Sequence, residues 1–154
     1  MKAIAIVDTS ILCELLEVPG KCQSVATIRA AMQEKVVGGE ALLLPMTTVL
    51  ETGNHIGHID SGGVRREYAK KLADTVIAAL DGTSPFVPMS FWDRDRLRVW
   101  MAEFPDRAAE GMGLGDFTIA KDWEEACRRH TGRRVYVWTL DPHLSAYDRP
   151  PEVA

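Results

Sequence analysis

A chain of 154 residues, 46% hydrophobic and 26% charged, is long enough for one domain with its own core. No apolar stretch reaches the roughly 18 residues that span a bilayer. Net charge is −4, from 22 acids against 18 Lys and Arg, which argues against a polycation that holds nucleic acid by charge alone. Were four acids gathered around a cation, the other 18 would balance the 18 bases, so net charge does not exclude an RNA or DNA substrate. Cys13, Cys22 and Cys127 are odd in number and show no CxxC spacing, which fits a reduced, cytoplasmic protein better than a disulfide framework.

The N-terminal "MKAIAIVDTSILCELLE" opens like a signal peptide, but Asp8 and Glu14 interrupt it. It reads as a buried strand over 3–7 and a helix from Ile11, capped by Thr9 or Ser10 and stopped by Pro19 and Gly20. Helical spacing follows over 22–36, then a second buried strand, "ALLLP", over 41–45. Residues 46–59 form a helix with Thr47 or Thr48 as cap, and 64–80 an amphipathic helix. "PFVP" is a short third strand over 85–88, and 93–104 a helix ended by Pro105. Residues 114–130 are helical, and "RVYVWT" (134–139) is the last clear strand. Strands alternating with helices point to a single three-layer α/β domain over 1–154, with a mainly parallel sheet and a loose tail over about 148–154.

Ligands of such folds sit beyond the carboxyl ends of the strands. Asp8 falls at the end of the first strand, Asp141 just past the last, and Glu51 about one and a half turns into the helix after the second. Asp116 heads an inward stripe of Ile119, Ala120, Trp123, Ala126 and Cys127, where a plain N-cap has no need to be. Asp122, six residues further, falls off that face and outside the site. Four acids converging on one rim repel one another unless a cation intervenes, and hard divalent ions take carboxylate oxygen. That is phosphodiesterase chemistry.

The stretches "AIVDTSIL" around Asp8, "TTVLETGNHI" around Glu51, "GLGDFTIA" around Asp116 and "VWTLDPHL" around Asp141 resemble, in this order, the four motifs of the PIN domain. The resemblance runs from the first strand to about residue 147. It implies an α/β/α fold and a ribonuclease dependent on Mg2+ or Mn2+, in which Asp8, Glu51, Asp116 and Asp141 hold the ions and an activated water attacks RNA. It also implies that Thr9 or Ser10, together with Thr139, orients carboxylates, and that Asn54, a turn past Glu51, hydrogen-bonds a neighbouring acid. Small single-domain bacterial members include VapC-type toxins, so a homodimer and a neutralising antitoxin protein are the implied partners. The segment between Glu51 and Asp116 is long for a minimal toxin of this kind. A nuclease outside a toxin–antitoxin pair, acting in RNA processing or on DNA, would use the same four acids.

Rival readings are weaker. Gly111, Gly113 and Gly115 lack the G-x-G-x-x-G spacing, a preceding strand and a GK[ST], so they read as a turn into the helix that carries Asp116. A haloacid-dehalogenase-type phosphohydrolase expects a second Asp where this chain has Ser10. A catalytically silent nucleic-acid-binding relative would lack an acid, and all four are present. Glu51, Asn54, His55 and His58 share a helical face, which suggests either a Zn2+ or iron site or a solvated face. His143, Arg65 and Arg66 are candidates for substrate phosphate, against the alternative of solvated surface. The same alternatives hold for the basic cluster of Arg128, Arg129, Arg133 and Arg134. Trp92 and Trp100 read as helical packing by default.

Overall fold

Every residue of Ile4–Val7 is apolar and buried, and these four form β1, the middle of a five-stranded sheet. The computed structural model describes residues 1–153. After β1 come α1 (Thr9–Leu16), α2 (Val25–Gly38), β2 (Ala41–Leu44), α3 (Met46–Gly57), α4 (Gly62–Leu80) and β3 (Phe86–Pro88). The chain then continues through α5 (Arg94–Ala109), α6 (Leu114–Arg129), β4 (Val135–Trp138), a 3-10 turn at Leu144–Ala146 and β5 (Asp148–Arg149). Spatial order is β3-β2-β1-β4-β5, with every pairing parallel except β4 with β5.

Alternation along the strands sorts the core into two layers. Ala5, Val7, Leu42, Leu44, Tyr136 and Trp138 face one side, against Ile11 and Leu12 of α1, Ile28 of α2 and Ala79 of α4. Ile4, Ile6, Val135 and Val137 face the other, against Ile119 and Ala126 of α6. The architecture is therefore α/β with a mainly parallel sheet flanked by helices on both faces, as the strand and helix alternation leads one to expect. Among the described residues, no helix is long and apolar enough to cross a membrane.

Several local expectations are corrected. Neither Thr9 nor Ser10 caps α1, because extended Asp8 occupies the N-cap position. Pro45 occupies that position on α3, and the Thr47 and Thr48 hydroxyls turn inward instead. Glu17, in the left-handed region with φ 56°, ends α1 before Pro19. Helix α5 runs through Pro105. The missing N–H and ring crowding disfavour this by about 3 kcal/mol, and aromatic packing of Trp100 and Phe104 on Phe117 offsets it. The start of the expected loose tail is tied down. Asp148–Arg149 pairs with β4, and the Arg149 guanidinium donates to the carbonyls of Cys127, His130 and Arg133. Carbonyls at the end of α6 and in the turn beyond it are satisfied in this way.

Candidate active site at the carboxyl rim of the sheet

From β1 the chain moves outward to β2 and β3, then returns to β4 on the opposite flank of β1. Beyond the carboxyl ends of β1 and β4, a parallel sheet with that order leaves a crevice. Asp8 stands at its edge, 6% exposed, with its N–H bonded to the Trp138 carbonyl at 3.0 Å. Its Oδ2 accepts from the hydroxyls of Ser10 at 2.9 Å and Thr139 at 2.7 Å. Those hydroxyls in turn accept the N–H groups of Leu140 and Asp141. Asp141 is thereby held beside Asp8, and Asp141 Oδ1 accepts the His143 N–H, closing a turn around Pro142.

Glu51 arrives on a helix locked to its neighbours by buried hydroxyls. Thr48 donates to the Val7 carbonyl at 2.7 Å, which fixes α3 on the end of β1. Thr118 of α6 donates to the Gly115 carbonyl, leaving Thr47 of α3 as donor in the 2.6 Å Thr47–Thr118 pair. Helix α6 is thus drawn against α3 just where Asp116 begins its inward face. Gly115 permits the approach, since a Cβ there would lie 3.1 Å from Cδ and both carboxylate oxygens of Glu51. Gly111, with φ +94°, makes the preceding turn. Thr9 completes the arrangement by donating to Glu51 Oε1 at 3.1 Å. Gly115→Ala is expected to keep the fold, displace the Glu51 carboxylate and lower any activity of this site roughly tenfold or more, measured by initial rate beside circular dichroism.

The result is a cavity of about 270 Å3 lined by Asp8, Glu51, Asp116 and Asp141 together with Thr9 and Ser10. Burial raises the Glu51 pKa, and Asp8 and Asp116 push it further the same way, against the Thr9 hydrogen bond. Burial also raises that of Asp116, with Asp141 and Asp8 adding and His143 opposing. The four acids feel one another electrostatically. Yet among the described residues no three His, Cys, Asp or Glu side chains form a ready-made metal-holding group. As a donor set, four carboxylates with flanking hydroxyls are hard oxygen, the class that Mg2+ and Mn2+ take.

Other lining residues are sorted by their partners. Glu14 is consumed structurally, its oxygens accepting the N–H groups of Gln23 and Ser24. Burial pushes the Cys13 thiol up to about 11, which makes it a poor nucleophile. Among the described residues, Lys21 is the single Lys or Arg on the lining. It was not legible in the sequence, because it sits in the loop after Gly20 and reaches the site only through the fold. His55 lines the cavity and His58 does not.

Three expectations fail to reach the site. The exposed Asn54 side chain hydrogen-bonds none of the acids, and only the Asn54 carbonyl is engaged, by His58. Arg65 donates to the carbonyls of Ile59 and Asp60, so it satisfies the chain end beyond α3 instead of facing the acids. Arg66 is exposed and lines none of the acidic cavity. His143, by contrast, lines an adjoining pocket that shares Asp116. Trp100 is buried against Trp92 and Phe117, in keeping with helical packing. Compared with family models, with curated proteins and with solved structures, the chain matches none.

Proposed function

We propose that the chain is a PIN-like endoribonuclease dependent on Mg2+ or Mn2+, acting in the cytoplasm as a homodimer and as the VapC-type toxin of a pair whose antitoxin neutralises it. One observation carries the catalytic part of this reading: four carboxylates from four separate segments line one cavity at the switch point of a parallel sheet. Unpaired carboxylates are costly to bury, so such a convergence is poor structural design without a positive ligand.

Asp8, Glu51, Asp116 and Asp141 would hold the ion or ions. When bound, Mg2+ or Mn2+ supplies a Lewis-acid charge that offsets the carboxylates and activates water for attack on a phosphodiester. Ser10 and Thr139 fix the rotamer of Asp8, and Thr9 that of Glu51, so these oxygens are oriented before any ligand arrives. Lys21 supplies a cation at the lining for a phosphate oxygen, and His143 stands on the far side of Asp116. An antitoxin arginine placed among the four acids would pair with them bidentately and block the site.

The test is cleavage of a panel of RNAs and single-stranded DNAs with Mg2+ or Mn2+, by wild type and Asp8→Asn. Expected is RNA cleavage that stops in chelator and falls about a hundredfold in Asp8→Asn, roughly 2.7 kcal/mol of barrier. Cleavage that persists in chelator sinks the mechanism. Binding of RNA without cleavage would favour the silent module. Growth arrest on expression, relieved by Asp116→Asn, would separate a toxin from a processing nuclease.

A further inference from the structure

On the α6 face of the sheet lies a second cavity, of about 330 Å3, between α6 and residues 87–90. It shares no lining residue with the acidic rim. Its floor is apolar, formed by Ile4, Leu43, Val87 and Met89. Asp122 lines it, 3% exposed, with Oδ2 lacking any hydrogen-bond partner. A buried acceptor left unsatisfied costs about 1–3 kcal/mol, and such groups call for an explanation. Here the explanation lies in the surroundings. Arg96, Arg129 and Arg133 also line the cavity, against the two carboxylates of Asp122 and Glu125, and Glu125 already carries Arg96, Arg128 and Arg129. Among the described residues, Arg133 uses only Nε, on the Lys2 carbonyl, and its terminal nitrogens have no partner.

These features favour a ligand with an apolar part for this lining, an N–H donor for Asp122 and an anionic group for the guanidinium groups. A volume near the lower end of ordinary ligand pockets suits one nucleotide and not two. We propose that this cavity binds a nucleoside monophosphate whose base carries an exocyclic amine, with Asp122 turning its covered Oδ2 toward the cavity to accept from the amine and the phosphate meeting Arg129 and Arg133. Burial pushes the Asp122 carboxyl up to about 7, with Trp92 and Arg96 opposing. An amine donated to Oδ2 would favour the ionised form. The assignment is independent of the nuclease reading, because neither the ligand nor its residues touch the acidic rim.

The test is calorimetric titration of the full chain in EDTA at pH 7.5 with AMP, GMP, CMP and UMP. EDTA removes divalent ions, so phosphate has no route onto the acidic rim. Expected is one saturable site for an amine-bearing nucleotide, at least tenfold tighter than for UMP, which has no exocyclic amine. Asp122→Leu should weaken it at least tenfold, and Arg133→Ala should weaken the nucleotide while leaving its nucleoside unchanged. Val87→Trp, at a half-exposed position that does not disturb the buried acid, should block the cavity. Absence of binding below millimolar concentration, equal affinity for UMP, or undiminished binding in folded Asp122→Leu or Val87→Trp would overturn the proposal.

Discussion

Asp116→Asn is expected to cut RNA cleavage about a hundredfold or more and, in chelator, to raise the melting temperature. Burial, then Asp141 and Asp8, raise the Asp116 pKa above its ordinary value of 3.8. For an acid raised in the folded state, the linked stability is full below the unfolded pKa and is lost as pH rises through the folded one. At neutral pH the ionised carboxylate therefore works against the fold, and an isosteric amide relieves it. If the acid served only the positive end of α6, its loss would instead cost about 0.3–1 kcal/mol. The sign of the shift thus separates a ligand-holding acid from a helix-stabilising one. Glu51→Gln should behave in the same way, since burial and two neighbouring acids raise it too. Thermal melts in EDTA beside initial rates in Mn2+ measure both effects.

Asp122 gives the larger pH effect. Its carboxyl is raised from 3.8 to about 7 by burial, so the sign is the same and the window is defined. Stability linked to this group is full below about pH 4 and is lost as pH climbs to about 7, by on the order of 4 kcal/mol at most. Asp122→Asn cannot ionise and escapes that loss. Urea unfolding of both proteins at pH 4.5 and 7.5 should show the variant gaining on wild type by a few kcal/mol at the higher pH. Parallel pH dependences would mean that the carboxyl titrates normally.

Asp8 and Asp141 were legible as acids at strand ends, and the apolar stripe of α6 placed Asp116 inward. Helices followed from helical periodicity and the central strands from short apolar runs, because β1 and β4 are buried on both faces of the sheet. What escaped the sequence was set by neighbours distant along the chain. Thr47 and Thr48 are favoured cap types next to a strand end, but α3 is pressed between β1 and α6, so their hydroxyls serve those contacts. Pro105 would stop an isolated helix, but α5 runs through it with Trp100 and Phe104 packed on Phe117. The helical wheel set Asp122 apart from Asp116, and the fold keeps it out of the acidic cavity. Off the Asp116 face, though, did not mean exposed, because α6 meets both the sheet and the Trp92 segment. Lys21 and Gly115 are single residues whose roles arise only when α1, α3 and α6 are assembled.

The most direct measurement of whether the rim carboxylates hold a divalent cation is a Mn2+ titration followed by electron paramagnetic resonance of the free ion. Wild type should remove Mn2+ from solution at one or two sites per chain. Asp8→Asn/Asp116→Asn should leave it free while retaining the fold by circular dichroism. Undiminished Mn2+ uptake by the folded double variant would contradict a metal role for the four carboxylates.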